Sequence, residues 1–154
     1  MEKGQIQMDV IDKTIIKHLQ IDGRKSYTEI AEELGVTVGT VRNRVQRLIE
    51  NGILKIVAVV DPIKTGMSTV AMVGVKVRLN RLQGVIEELV KIPEVRLVAA
   101  STGMFDLFLQ IITFSIEDYY RIISEKLSII EGIEDSHSFM LLQINKQTYD
   151  WGVK

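Results

Sequence analysis

The chain has 154 residues, of which 46% are hydrophobic and 25% charged, and its formal net charge is −1. These values are typical of a globular protein of one or two small domains, and a charge near zero argues against electrostatic attraction of the whole molecule to nucleic acid or an anionic membrane. Because the chain contains no cysteine, disulfides, cysteine-ligated zinc and thiol catalysis are excluded. A local basic face has to be sought segment by segment.

The N-terminus carries no signal pattern of basic and then apolar residues, and no apolar run approaches the ~20 residues that cross a bilayer. We therefore expect a cytoplasmic protein without membrane contact. No Ser-His-Asp set and no pair of catalytic carboxylates emerges, and His18 has no second ligand at metal spacing. We expect no catalytic residues, no metal and no cofactor, and we expect His18 at the surface.

Three helices are predicted in the first third of the chain. Apolar residues at helical spacing indicate the first helix over 8–20, with Asp9 as its cap. Ser26 and Glu29 form a capping box that opens a second helix, which Gly35 ends. Thr37 caps a third helix over about 38–50, and Asn51-Gly52 ends it. Two helices joined by about three residues are typical of a helix-turn-helix.

The third helix is predicted to bury Val41, Val45, Leu48 and Ile49 and to expose its opposite face. From 36 to 55 there are four cationic residues against Glu50 alone. Arg and Asn can each make paired hydrogen bonds to base edges, whereas other arginines suit phosphates. A solvated face of a helical bundle is the alternative, but the register of the caps favours DNA binding. The predicted DNA-binding residues are Thr37, Val38, Gly39, Thr40, Arg42, Asn43, Arg44 and Arg47.

Arg42 and Asn43 are predicted to read bases, and Arg44 and Arg47 to contact phosphates. The segment 55–60 (KIVAVV) is rich in β-branched residues and is predicted to be a strand, followed by a linker to 68. We therefore expect a helix-turn-helix domain over 1–54, a strand and linker over 55–68, and a second domain over 69–154.

The second domain alternates strands and helices. Strands are predicted over 69–78, 95–101, 105–113 and 133–145, and helices over 82–91 and 115–127, the latter opened by a capping box of Ser115 and Asp118. The order β-α-β, turn, β-α-β predicts a ferredoxin-like βαββαβ domain, with two helices on one face of an antiparallel sheet. The fold class is therefore α+β.

One face of such a sheet stays uncovered. Apolar residues available for either face are Met72, Leu107, Leu109, Met140 and Leu142. Because an apolar open face is usually an interface, we expect a homodimer through this domain. A twofold dimer would place two third helices one DNA turn, or a multiple of it, apart on a palindromic site.

The chain resembles the Lrp/AsnC (feast/famine) transcription regulators. The resemblance covers almost the whole chain and rests on DVID at 9–12, QIDGR at 20–24, IA at 30–31, GVT at 35–37, VRNRVQRL at 41–48, GIL at 52–54 and the turn TGMFD at 102–106. It implies a winged helix-turn-helix, a ligand-sensing domain, and dimers that assemble into octamers or similar rings. It also implies a free amino acid as effector, such as glutamine or another polar or branched amino acid.

The resemblance places the effector between dimers, at the turn after the second strand and on the last strand. Backbone N–H groups at 102–104 could hold a carboxylate, and Asp106 could accept from an α-ammonium. Polar groups opposite the turn could recognise a side chain. The implied effector residues are Ser101, Thr102, Gly103, Met104, Asp106, Ser136, His137 and Ser138.

Two other functions are alternatives to DNA-binding regulation. Some proteins of this architecture resemble regulators yet decarboxylate tetrapyrroles, and that chemistry needs proton donors and cation clamps that the second domain does not supply as a recognisable set. The other rival is an amino-acid sensor whose helices bind a protein partner, and the basic third helix argues against it. The effector, the operator and the sign of regulation are left open by the sequence.

Overall fold

The computed structural model describes residues 7–149 and residue 152. They form two compact units, one running up to Val59 and including described residues after Asn145, and the other spanning Val60–Asn145. Within the described part of the chain, no helix combines the length and the apolar character needed to cross a membrane.

The N-terminal unit contains three helices: α1 (Val10–Ile21), α2 (Tyr27–Leu34) and α3 (Val38–Glu50). Each turns an apolar stripe inward, as predicted, but Ile49 of α3 was wrongly expected to be buried and is 39% exposed. The shared core is formed by Ile15, Leu19, Ile30, Ala31, Val41 and Val45. Because α2 and α3 are separated by three residues, they form the predicted helix-turn-helix.

Side-chain caps fix the helix ends. Ser26 and Glu29 form the predicted capping box, and Gly35 ends α2 with a φ of 64°, a conformation that glycine adopts without steric cost. Thr37 caps α3 by accepting the N–H of Thr40. These contacts confirm the predicted boundaries of both helices.

Asp12 links α1 to α3 and was not singled out from the sequence. It is fully buried, and with Asp9 it forms the capping box that begins α1. Its two carboxylate oxygens accept hydrogen bonds from Arg44, at 3.2 Å, and from Arg47, at 2.6 Å, while Arg44 also donates to Asp9. We call Asp9, Asp12, Arg44 and Arg47 the Asp12 cluster.

His18 is not the surface residue that was expected. Its imidazole is largely covered, and its two ring nitrogens lie 3.1 Å from Glu33 and 3.0 Å from Lys25. Lys25 also donates to Glu33 at 2.5 Å. The histidine therefore bridges α1 to α2, an arrangement that spacing within α1 alone cannot reveal.

The second unit contains one antiparallel sheet with strand order β2-β3-β1-β4. Its two helical segments pack on one face, so the predicted α+β ferredoxin-like plan is confirmed. In chain order the elements are β1 (Thr69–Val77), a 3-10 turn (Leu79–Arg81), α4 (Leu82–Leu89), β2 (Val95–Ala100), β3 (Leu107–Thr113), α5 (Ile116–Arg121), a π-helix (Ile122–Leu127) and β4 (Ile133–Met140).

Three local predictions for the chain after α3 were wrong. Residues 55–60 form no strand, because none of the described backbone hydrogen bonds pairs them with a neighbouring strand. The last strand ends at Met140 and does not reach 145. Ser115 accepts the N–H of Asp118 but the reciprocal bond is missing, because the Asp118 carboxylate pairs with Arg121 instead.

The sequence did not decide which face of the sheet each apolar residue occupies, and the structure assigns several of them. Leu107 and Leu109 are buried under the helices, whereas Met72 lies on the open face beside Phe139. On that face Phe105 packs directly over Gly74, where a Cβ atom would lie 2.4 Å from the ring. Phe108, His137 and Phe139 contact the Phe105 ring, and with it they form what we call the open-face aromatic cluster.

Replacing Asp12 by Asn should destabilise the N-terminal unit. Two arginines would face a neutral amide, so we expect a loss of about 2–4 kcal/mol in native-state protection of α1 and α3 amides, measured by hydrogen exchange. Glu32→Gln is the control, because the Glu32 side chain is exposed and makes no hydrogen bond or ion pair among the described residues. Equal protection in the two variants would show that the cluster adds little stability.

Gly74→Ala should displace Phe105 and destabilise the second unit by about 1–3 kcal/mol, because a methyl group cannot fit beneath the ring. Thermal unfolding measures the loss, and the NMR shift of the His137 ring reports the displaced neighbour. Gly84→Ala is the matched control: it lies in α4 with no atom close to its Cβ position. It should be neutral or stabilising by up to ~1 kcal/mol. An unchanged Gly74→Ala protein would contradict the packing argument.

Candidate nucleic-acid interface and ligand site

The exposed face of α3 presents two polar side chains without partners. Arg42 and Asn43 are exposed, and within the described residues neither makes a hydrogen bond or an ion pair. Val41 and Val45, their neighbours along the helix, are buried. Since guanidinium and amide groups can make paired hydrogen bonds to base edges, this face is suited to a major groove.

Arg44 and Arg47 behave differently from Arg42. Arg44 donates to Asp9 and Asp12, and Arg47 donates to Asp12. The hydrogen bonds to Asp9 and Asp12 raise the pKa of Arg44. The backbone N–H of Asp12, followed by Arg44, lowers the pKa of Asp9. Because the arginine side chains are 26% and 46% exposed, their remaining N–H groups are free to meet a phosphate while the cluster stays intact.

The other predicted residues lie at the start of α3. The Thr37 and Thr40 hydroxyls are 2.9 Å apart and serve the helix cap. Gly39 is exposed, and a Cβ atom there would make an ordinary van der Waals contact with the Thr37 hydroxyl at 3.8 Å, while Val38 packs partly against the core. The start of α3 therefore has little side-chain bulk, which suits close approach to a DNA backbone or groove.

The turn 101–106 is closed by backbone hydrogen bonds. Ser101 N–H donates to the Asp106 carbonyl, and Asp106 N–H donates to the Val75 carbonyl, both at 2.9 Å. Gly103 has a φ of 108°, a conformation that residues with a Cβ rarely adopt. Thr102, Gly103 and Met104 are exposed at its tip, and the Met104 side chain is 79% exposed.

Asp106 anchors this turn to β1. Its carboxylate accepts the N–H of Val77 at 2.8 Å and lies 3.3 Å from the ammonium of Lys76. The Val77 N–H first, and Lys76 second, lower the pKa of Asp106. The carboxylate that was expected to accept a ligand's ammonium is therefore already occupied within the subunit.

The three implied residues of β4 do not share one face. His137 lies on the open face, with its ring centroid 5.3 Å from that of Phe105 and its Nε2 3.0 Å from Asp135. Ser136 and Ser138 lie on the helix face, where Ser138 accepts a hydrogen bond from Tyr119. Of these three residues, only His137 is placed beside the turn.

Asp12 and Tyr119 are the polar residues that sequence reasoning missed. Asp12 could have been found, since it follows Asp9 by three residues and shares a helix face with Ile15, Ile16 and Leu19. Tyr119 is buried, and burial raises its pKa. The sequence carries no signal for its bond to Ser138, because the two residues meet only across the sheet-helix interface.

Both units match known families. Residues 8–49 match the AsnC-type helix-turn-helix domain, and residues 70–151 match the Lrp/AsnC ligand binding domain. An uncharacterised HTH-type transcriptional regulator of Pyrococcus abyssi is 37% identical over 146 residues, which is 94% of this chain and 92% of that protein. The HTH-type transcriptional regulator FL11 of Pyrococcus furiosus is 34% identical, with 96% and 97% covered.

Solved structures share the fold. E. coli AsnC superposes with a TM-score of 0.84 at 22% identity, covering 93% of this chain and 97% of that one. A transcriptional regulator of Neisseria meningitidis, solved in complex with L-Met, gives 0.84 at 23% identity, with 95% and 97% covered. The relatives are transcriptional regulators and not enzymes. With its DNA-binding helix-turn-helix and its ligand-binding domain, the chain belongs to the Lrp/AsnC family of transcriptional regulators.

Proposed function

We propose that this regulator reads a palindromic DNA site as a homodimer and that a free amino acid modulates its assembly or its DNA binding. The observation that carries the DNA-binding part is the exposed face of α3, where Arg42 and Asn43 have no intramolecular partner. A side chain that is held by an intramolecular hydrogen bond or ion pair would have to break that contact before it could bind a base. Here two base-reading groups are free on a helix whose ends are capped.

Arg44 and Arg47 are proposed to position the helix on the phosphate backbone through N–H groups that the Asp12 cluster leaves free. Each arginine carries five N–H donors, and the carboxylates engage only some of them. Asp12 thus orients both guanidiniums, although it is buried and touches no DNA itself. Thr37, Val38, Gly39 and Thr40 are proposed to line the entry of the helix into the groove.

Dimer formation is proposed to cover the open face of the sheet. Leu97 and Met72 lie there with the open-face aromatic cluster, and Leu97 and the cluster residue Phe139 are exposed in the single subunit. Burying this surface against a second copy would remove it from water. Further assembly of dimers into octamers is proposed from the family resemblance.

The effector is proposed to bind at the exposed tip of the turn. The N–H groups of Thr102, Gly103 and Met104 would hold its carboxylate, and His137 and Ser101 would approach from the same end of the sheet. The solved regulator with bound L-Met supports an amino acid as the class of effector. Because Asp106 is occupied by Val77 and Lys76, its proposed role is to hold the shape of the turn.

Such a ligand regulates only if its affinity differs between two states of the assembly. Binding between dimers would satisfy this condition, since the site would be complete in the assembled state alone. The relative position of the α3 helices in the oligomer would then depend on which assembly state the ligand favours.

Arg42→Ala and Asn43→Ala should each relax base preference. Selection from randomised duplexes identifies a preferred site, and competition titrations at fixed moderate salt should then show about 1–3 kcal/mol less discrimination at one base position for each variant. Lys17→Ala, an exposed cation of α1, is the control and should retain the full preference. Absence of any sequence preference in the wild-type protein would refute the proposed DNA reading.

Asp106 should titrate below the ordinary range for an aspartate, and Lys76→Met should raise its pKa only in part, because the Val77 N–H is the larger cause. Its stabilising contribution is present above the unfolded pKa of ~3.9 and is lost as pH falls through the lower folded value. Carboxyl ¹³C NMR titration of both proteins measures this. An Asp106 pKa that returns to its ordinary value in Lys76→Met would show that Lys76, and not the backbone, holds the turn.

A further inference from the structure

A cavity of about 350 Å³ lies in the second unit, away from the ligand turn. It is bordered by the start of β2, the end of β3 and the helical segment that follows. Thr113 borders it, whereas the ligand turn adjoins Leu107 at the opposite end of β3. Its volume is within the ~300–1,000 Å³ range of small-molecule sites. We call it the β3-end cavity.

One wall of this cavity is the π-helix Ile122–Leu127. The N–H of Ser128 donates to the carbonyl of Ile123, five residues earlier, which is the hydrogen bond that defines this conformation. Ile122, Glu125 and Lys126 of the π-helix all face the cavity. π-helical segments are rare and occur frequently at functional sites, so this wall is a second, independent mark of a binding surface.

Most charges around the β3-end cavity are paired with each other. Lys126 donates to both carboxylate oxygens of Glu94 at 2.9 Å. Arg121 donates to Asp118 at 2.8 Å. These two pairs neutralise four of the six charged side chains that line the cavity.

The two remaining charges, Arg96 and Glu125, are opposite in sign and both are exposed. Arg96 donates only to the carbonyl of Pro93, at 3.1 Å, and no carboxylate among the described residues pairs with it. Glu125 makes no hydrogen bond or ion pair within the described part of the chain. The cavity therefore offers one free cation and one free anion.

Between these charges the lining is largely apolar. Ile122 is buried, Ile112 is half-buried, and Met67 and Phe114 complete the apolar surface. A simple anion would satisfy Arg96 and leave Glu125 unpaired, and a simple cation would do the reverse. A small zwitterion with an aliphatic side chain matches both charges and the apolar surface at once.

We propose that the β3-end cavity is a second ligand site that binds a free amino acid with an aliphatic side chain inside a single subunit. Arg96 holds its carboxylate and Glu125 its ammonium, while the side chain contacts Ile112 and Ile122. This site is independent of the turn 101–106, so each subunit carries two sites for small molecules, at opposite ends of β3.

Methyl NMR of the full-length protein tests this with L-leucine as the probe, because methionine and isoleucine methyl groups mark the two sites separately. L-Leucine should shift the Met67 and Ile122 signals saturably, whatever happens at Met104 in the turn. 4-Methylpentanoate, which lacks the ammonium, and 3-methylbutylamine, which lacks the carboxylate, should each bind about ten-fold or more weakly by comparison.

Arg96→Gln and Glu125→Gln should each weaken L-leucine binding at Met67 and Ile122 about ten-fold or more, with unchanged methyl spectra elsewhere showing that the variants fold. Any Met104 response should be the same in wild type and variants. L-Leucine shifts confined to Met104, or none at Met67 and Ile122 at millimolar ligand, would overturn the second site without touching the proposed turn site. Equal affinity of the two variants and wild type would overturn it too.

Discussion

A buried carboxylate orients α3, the helix that we propose contacts DNA. Asp12 lies at the start of α1, is closed off from solvent, and accepts hydrogen bonds from Arg44 and Arg47 on α3. A unit of three short helices has a small core, and this ionic contact joins its first and last helices directly. Of the three arginines of α3, Arg44 and Arg47 donate to Asp12, whereas Arg42 is exposed and has no hydrogen bond or ion pair among the described residues.

The second unit uses charge in the same way. Asp106 is held by the Val77 N–H and by Lys76, and this contact shapes a turn whose exposed tip is formed by Thr102, Gly103 and Met104. In both units a carboxylate, Asp12 or Asp106, holds neighbouring residues in place. Other residues form the surface that is proposed to contact DNA or the effector. Around the β3-end cavity the reverse holds, because Arg96 and Glu125 remain unpaired while their neighbours neutralise each other.

Helix ends and the order of elements were predictable, because their causes are local. A capping box at Ser26, a left-handed glycine at Gly35 and alternating apolar residues in β1 act over three to five residues. The strand predicted at 55–60 was wrong because a strand needs a hydrogen-bonding neighbour, and β propensity does not supply one. The exposed residues Arg42 and Asn43 were placed correctly by helix rotation alone.

The sequence by itself determined the three helices and the βαββαβ order, since these depend on periodicity, caps and turn residues along the chain. It also indicated the family, through the resemblance of its motifs. Only the tertiary structure decided which charges are free. Asp12 is 32 residues from Arg44, Glu94 is 32 residues from Lys126, and Tyr119 meets Ser138 across the sheet. Pairings over such separations depend on how elements pack, and packing sets which groups stay available to DNA or a ligand.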